Sequence, residues 1–228
     1  RIGRLFFRAA FDKSSAGQAG LDIVAINDLG DIENLAYLLK YDTVYGCFKE
    51  DIRADKKKNE LCVSGKTIRV LQIKDPKELP WKDLKVDIAV ESTGLFESFE
   101  KAKVHLEAGA KRVVITAPAK DADGEGKTVL MGVNEGELAT TVLTSNGSCT
   151  TNAASPVIQI MSENPGIEKA MLNTVHGYTS SQALVDGPSP KAFRRGRAAA
   201  ANIIPTGTGA SEAVAKALPR LKGKFKGI

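Results

Sequence analysis

The chain has no apolar run approaching the roughly 20 residues that a membrane-crossing helix needs, which excludes a helical transmembrane reading. Cysteine is scarce, with Cys47, Cys62 and Cys149 the only three in 228 residues. No disulfide framework follows from so few, and no CxxC pair or Cys/His cluster offers a zinc site, so no metal is expected. A reducing, cytoplasmic compartment is the simplest setting for such a chain. Histidine is scarcer still. His105 and His176 are the only two, so any imidazole base is one of these. No signal peptide opens the sequence, and Arg1-Ile2-Gly3-Arg4 carries no initiator methionine, so the chain reads as an interior portion of a longer protein. Internal repeats and low-complexity tracts are absent as well.

What is present is an ordinary globular balance, 43% hydrophobic and 26% charged, with a net charge of +5 and a pI near 9.0. The densest basic run, Arg53 to Lys58, reads as a solvated hairpin tip, so neither nucleic acid nor membrane is expected as a partner. Part of the positive charge can serve to attract anionic substrates.

The first half alternates strand-like and helix-like segments, as a parallel α/β domain does. Leu5 to Phe11 is a helical apolar patch, followed by a polar break at Ser14. Leu21 to Ile26 predicts a buried strand ending at Asn27-Asp28. Asp31 reads as the N-cap of a helix reaching Lys40. Leu61 to Val63 and Thr67 to Ile73 flank Ser64-Gly65-Lys66 as a hairpin. A second buried strand, Val86 to Val90, leads into Glu91-Ser92-Thr93-Gly94 and a helix from Ser98 to Ala108. Short strands are expected at Arg112 to Thr116, Thr128 to Met131 and Thr141 to Thr144. Beyond Asn146-Gly147 the pattern changes: a helix from Cys149 to Glu163, a long strand from Ile167 to Tyr178, and a loop rich in Gly, Pro and Arg from Ser180 to Arg197. Strands at Asn202 to Pro205 and Lys224 to Ile228 around a helix from Thr208 to Leu218 suggest a second domain with an antiparallel sheet. The expected domains are 1–147 and 148–228.

Three features of the first half point to a dinucleotide. Gly3 opens a helix, where the last glycine of a GxGxxG turn would lie, although the preceding strand and the first two glycines are not in the sequence. Asp28, 25 positions after Gly3, ends a strand near where a ribose-gripping carboxylate belongs. Glu91-Ser92-Thr93-Gly94 follows a buried strand at the edge where such sheets bind ligands. Each signal alone is weak; together they support a Rossmann-like domain.

In the second half, Ser145-Asn146-Gly147-Ser148-Cys149-Thr150-Thr151-Asn152 puts a cysteine in the first turn of a helix among small hydroxylic residues. Helix N–H groups and the positive end of the dipole favour a thiolate there. The same groups, with the Ser148 and Thr150 hydroxyls, can hold an anion such as phosphate. Cys47 and Cys62, in strand-like or aromatic surroundings, read as structural. Of the histidines, His105 lies mid-helix and reads as a surface or satisfied interior residue. His176, late on a strand, is the base to pair with Cys149.

Ser148-Cys149-Thr150-Thr151-Asn152, His176-Gly177-Tyr178-Thr179, Arg194 to Ala200 and Ile204 to Ala210 resemble, in order and spacing, the phosphorylating glyceraldehyde-3-phosphate dehydrogenases. Arg1 to Arg4, Asn27-Asp28, Glu91 to Gly94 and Thr116 to Ala119 match as well, so the likeness spans essentially the whole chain. The resemblance implies a Rossmann-type NAD-binding domain followed by an α+β catalytic domain with a mainly antiparallel sheet. It implies oxidation of glyceraldehyde 3-phosphate with NAD and inorganic phosphate in glycolysis or gluconeogenesis. Cys149 then matches the nucleophile that forms a thiohemiacetal and a thioester, and His176 its base. Ser148, Thr150, Thr208 and Gly209 match the inorganic-phosphate pocket; Thr179 and Arg195 match the site for the substrate's own phosphate. Arg1 and Ile2 match positions beside the cofactor pyrophosphate, Asp28 the ribose contact, Lys74 an adenine-side position, and Thr93, Gly94 and Thr116 the cofactor cleft. A homotetramer is implied, with the loop from Ser180 to Arg197 reaching a neighbouring subunit.

Against that family the sequence departs in several places. Its first strand and leading glycines, and its C-terminal portion with a further phosphate-site arginine, are expected to be truncated here. Ser180-Ser181 replaces an Asn-Asp pair common in many relatives, and Gly207 replaces a Thr or Ser. Two alternatives stand beside this reading: erythrose-4-phosphate dehydrogenase, which uses the same constellation, and a non-catalytic NAD-binding fragment.

Overall fold

The computed structural model describes residues 1–11, 20–121, 124–190 and 192–227. The expected break at Ser14 and the last residue of the expected C-terminal strand, Ile228, lie outside them. The chain divides into two compact units, Arg1–Lys127 with Leu138–Asn146, and Thr128–Glu137 with Gly147–Ile228.

The first unit opens with helix α1 (Ile2–Phe11). Its apolar face turns inward through Phe7, whose ring stacks on Phe11 at 4.7 Å. Helix α2 (Ile32–Lys40) begins where expected, because Asp31 accepts the Glu33 and Asn34 N–H groups. Ile32, Leu35 and Leu39 form its buried stripe. The short ribbon β2 (Tyr41–Asp42) and β3 (Gly46–Cys47) follows. It is held by the buried Arg8, whose guanidinium donates to the Leu39 and Gly46 carbonyls at 2.9 and 3.1 Å.

Strands β1 (Ala25–Asn27), β4 (Ile52–Asp55), β5 (Glu60–Val63) and β6 (Lys66–Leu71) form a sheet in the order β1-β6-β5-β4. β1 runs parallel to β6, and the other pairs are antiparallel. Ser64 and Gly65, with φ of 47° and 86°, close the β5–β6 hairpin in the left-handed geometry that a two-residue turn requires. The strand expected from Leu21 to Ile26 is shorter and only half buried. It lies at the edge of its sheet, with Leu21 and Val24 exposed.

A second sheet in the order β7-β8-β10-β9 comprises β7 (Ile88–Glu91), β8 (Arg112–Ile115), β10 (Leu143–Ser145) and the two-residue β9 (Lys127–Thr128). β7, β8 and β10 are parallel. Between β7 and β8 the expected single helix is broken into α3 (Phe99–Ala102) and α4 (Val104–Glu107). At Lys103 the bonding tightens, with the Leu106 N–H reaching back only three residues, to Lys103. The principal core joins Ala89, Phe99, Ala102, Val113, Ile115 and Leu143, with Ala25, Leu71 and Ile73 packed against it.

The second unit is built on α5 (Cys149–Glu163) and α6 (Ala210–Ala217), which pack on each other. Val214, Leu218, Leu221 and Phe225 form its core. Its one strand pair among the described residues, β11 (Ala170–Leu172) with β12 (Phe225–Gly227), is parallel, where an antiparallel sheet was expected. The long strand expected from Ile167 to Tyr178 is reduced to β11, and Asn202 to Pro205 forms no strand. Strand preference expresses packing against a neighbour, and Val175 and Ile203 are fully exposed instead. Among the described residues no helix is long and apolar enough to cross a membrane.

Candidate active site

The second unit places Cys149 and His176 in contact. Ser148, with extended backbone (φ −94°, ψ 169°), caps α5, its hydroxyl accepting the Thr151 N–H at 3.0 Å. Cys149 is therefore the first helical residue, and its Sγ lies 3.1 Å from His176 Nε2. His176 Nδ1 sits 2.6 Å from the Gly177 carbonyl. A carbonyl only accepts, so Nδ1 carries the proton and Nε2 faces the sulfur. Partial burial pushes the Cys149 thiol up, but hydrogen bonds from His176 and Thr150 outweigh it and leave its pKa below the ordinary thiol value. The bond to the Gly177 carbonyl, followed by that to Cys149, raises the His176 pKa. Both shifts favour a thiolate–imidazolium pair. Cys47 and Cys62 are free thiols without such a partner histidine.

Beyond His176, Thr179 Oγ1 lies 3.1 Å from Ser181 Oγ, which accepts from Arg195 Nη1 at 2.8 Å. The structure thus gathers Thr179 and Arg195, with Ser181 between them, a residue the sequence marked only as a departure. The Arg195 segment is fixed by the Gly187 N–H bond to the Gly196 carbonyl at 2.8 Å. A side chain at Gly196 would place its Cβ 2.0 Å from the Gly187 oxygen, which explains the glycine. Arg197 pairs with Asp186 at 2.9 Å and belongs to this loop's own scaffold. Thr208 and Gly209 stand at the start of α6, with the Thr208 hydroxyl accepting the Ala210 N–H at 3.2 Å.

In the first unit the expected cofactor residues fall at the carboxyl edges of the parallel strands, where open α/β sheets bind ligands. Asp28 follows β1 and accepts the Gly30 N–H at 2.9 Å. Lys74 follows β6 and lines an open hollow of about 810 Å³ with Asp75 and Phe96. Thr93 and Gly94 follow β7, and Thr116 follows β8, its N–H donating to the Glu91 carbonyl at 2.9 Å. The Arg1 guanidinium is committed to both oxygens of Asp42 at 2.9 Å. Ile2 begins α1 and is exposed.

Two observations fit a dinucleotide here. A Cβ at Gly3 would lie 3.3 Å from Ser92 Cβ, so α1 starts close against the β7 loop. The Ser92 hydroxyl is buried with no hydrogen-bond partner among the described residues, an orphan polar atom beside that helix start.

His105 is an interior residue, one of the two readings the sequence left open, and its partners were not foreseen. Trp81 Nε1–H donates to Nδ1 at 3.1 Å, and Nε2 meets Glu91 Oε2 at 3.0 Å. The available signal was Glu91 itself, a carboxylate ending a buried strand, since such a group is almost never fully buried unless paired.

Comparison with known proteins matches residues 1–99 to "Glyceraldehyde 3-phosphate dehydrogenase, NAD binding domain" and residues 148–228 to "Glyceraldehyde 3-phosphate dehydrogenase, C-terminal domain". The chain is 47% identical over 230 residues to a glyceraldehyde-3-phosphate dehydrogenase of Streptomyces coelicolor, covering 100% of this chain and 66% of the relative. It is 45% identical over 229 residues to glyceraldehyde-3-phosphate dehydrogenase 1 of Kluyveromyces marxianus, again covering 100% and 66%. A relative of the same name from Haemophilus influenzae is 47% identical over 228 residues, covering 100% and 64%. The chain thus spans just under two thirds of the length of these curated relatives.

Proposed function

We propose, from the premise that this chain belongs to the glyceraldehyde 3-phosphate dehydrogenase family, that the whole protein oxidises glyceraldehyde 3-phosphate to 1,3-bisphosphoglycerate with NAD and inorganic phosphate. The observation that carries this reading is the 3.1 Å contact between Cys149 Sγ at a helix start and His176 Nε2.

The chemistry follows from that pair. The Cys149 thiolate adds to the aldehyde carbon, and the carbonyl oxygen takes the His176 proton, giving a thiohemiacetal. NAD, when bound, supplies the acceptor for the hydride that this carbon loses. His176 takes the hydroxyl proton back as the carbon is oxidised, leaving a thioester on Cys149. Phosphate then attacks the thioester carbon, the C–S bond breaks, and Cys149 leaves as a thiolate. Ser148, Thr150, Thr208 and Gly209 would hold that phosphate, and Thr179 and Arg195 the phosphate of the substrate, by charge-assisted bonds. Arg1, Ile2, Asp28, Lys74, Thr93, Gly94 and Thr116 would hold NAD, Arg1 through its backbone since its side chain is taken by Asp42. One bond to Gly30 leaves the Asp28 carboxylate with acceptor sites for ribose hydroxyls. We assign the whole protein to the cytoplasm, as a homo-oligomer.

The test is NAD reduction by the full-length protein with glyceraldehyde 3-phosphate, with and without phosphate. Phosphate-dependent reduction that Cys149→Ser abolishes is the expected result. No reduction, or reduction that survives loss of Cys149, would sink the proposal. A higher kcat/KM for erythrose 4-phosphate than for the triose would transfer the assignment to that substrate.

A further inference from the structure

The buried cluster around Glu91 lies outside the catalytic chemistry, yet it is wired to the loop assigned to the cofactor. Glu91 and His105 are 5% and 6% exposed. The hydrogens in this cluster can be placed in only one order. An indole N–H donates and never accepts, so His105 Nδ1, 3.1 Å from Trp81 Nε1, is the lone-pair nitrogen. Nε2 then carries the proton and donates to Glu91 Oε2. The other carboxylate oxygen accepts twice from Thr93, from its N–H at 2.7 Å and from its hydroxyl. Having spent its proton, Thr93 Oγ1 accepts the Leu95 N–H at 3.1 Å. On the neighbouring strand, the Thr116 hydroxyl donates to the Glu91 carbonyl at 3.1 Å. Both threonine hydroxyls therefore point their protons at Glu91.

We propose that Glu91 and His105 are positioning residues for the dinucleotide: through the carboxylate they orient Thr93, so that, like Thr116 on the Glu91 main-chain carbonyl, Thr93 presents only hydrogen-bond acceptors to it. The ligand group met there is a donor, of the ribose hydroxyl or carboxamide NH₂ kind, and not a phosphate oxygen. This rests on the assignment of Thr93, Gly94 and Thr116 to the cofactor site. Glu91→Gln is nearly isosteric but puts an NH₂ where the chain has room only for acceptors, so the order of hydrogens fails at one end. His105→Gln keeps it, since a carboxamide can offer its oxygen to the indole and its NH₂ to Glu91. His105→Leu removes it.

The experiment measures NAD affinity by calorimetry, and KM for NAD and for aldehyde, in the full-length wild type and these three variants. Glu91→Gln and His105→Leu are expected to weaken NAD about tenfold while the aldehyde KM stays within about twofold, the size of one lost set of oriented bonds. His105→Gln is expected to stay near wild type. Affinity within about twofold of wild type in Glu91→Gln overturns the proposal, and so does a His105→Gln variant as weak as His105→Leu, since the loss would then be of packing. If His105→Leu does not fold, Glu91→Gln decides alone. A wild type that binds no NAD overturns the cofactor assignment itself, a separable result.

Discussion

At the scale of single residues, the reactivity of Cys149 is set by its neighbours His176 and Thr150, His176 first. The Cys149 pKa lies below and that of His176 above their ordinary values, and both shifts increase the share of the thiolate–imidazolium pair near neutral pH. Alkylation of Cys149 by iodoacetamide should therefore have its inflection below the roughly 8.5 of a free thiol. At pH 7 it should outrun Cys47 and Cys62 by about tenfold, with activity lost in step. His176→Asn should move the inflection upward; an unmoved inflection would remove His176 from this role. Asp28 governs cofactor choice by repulsion, since a 2′-phosphate would meet its carboxylate. NAD should be preferred over NADP, and Asp28→Ala should narrow the ratio of kcat/KM values; equal efficiency in the wild type would refute it. For Glu91, burial pushes the carboxyl up, while hydrogen bonds from His105 and Thr93 bring it below the usual range. A depressed folded-state pKa contributes stability above the unfolded value, about 4.3. That contribution is lost as pH falls through the lower folded value. Acid unfolding should be less steep in Glu91→Gln; an unchanged acid limb would show that Glu91 does not contribute.

At the scale of elements, the starts of helices and the tight turns were legible in the sequence because their causes are local. Asp31 was readable as a cap, the helix start at Cys149 from its small hydroxylic neighbours, and the Ser64-Gly65 turn as a hairpin, since each depends on residues within three positions of itself. Ser148→Ala should cost about 1 kcal/mol of stability, read from the denaturant midpoint, and Ser148→Thr should recover most of it. The strands were misjudged where their partners lie far along the chain. Thr174 to Tyr178 has the β-branched and aromatic content of a strand, yet only Ala170–Leu172 finds a neighbour, in Phe225–Gly227. The sequence marked the loop around Arg195 as a candidate anion site, but its internal tie was not legible, because Gly187 and Gly196 meet by chain reversal. Gly196→Ala must displace the Gly187 carbonyl. It should raise the KM for the phosphorylated aldehyde several-fold with little change in KM for NAD; an unchanged aldehyde KM would detach this loop from substrate binding.

At the scale of the whole molecule, the two units differ in how much apolar surface they close over. Among the described residues the first holds three buried clusters, and the second holds one, of Val214, Leu218, Leu221 and Phe225. In the second unit Val175, Phe193 and Ile203 are 101%, 96% and 100% exposed, large apolar side chains that favour association when they meet others. The 228-residue chain should therefore self-associate in sedimentation. Hydrogen exchange should be slow in β5, β6, β7 and β8 and fast in residues 173–190. A monodisperse monomer protected evenly across both units would contradict this. How far the exposed apolar side chains are covered depends on chains or segments that contact them, and nothing local to Val175 or Ile203 encodes that.

The sequence by itself marked the candidates for the chemistry: a cysteine at a helix start, one histidine to pair with it, arginine and hydroxyl residues proposed for two anions, and acidic and glycine positions proposed for a dinucleotide. These follow from residue type and short spacing, and the family resemblance tied them together. Tertiary structure alone decided which polar groups share their hydrogens. Trp81, Glu91, Thr93 and His105 lie up to 24 positions apart, and their order of donors and acceptors exists only once β7 and α4 pack against one core. Ser181 likewise acquired its place on Arg195 only when the chain turned back on itself. A hydrogen bond needs a distance and a direction, and the sequence specifies neither until the chain has folded.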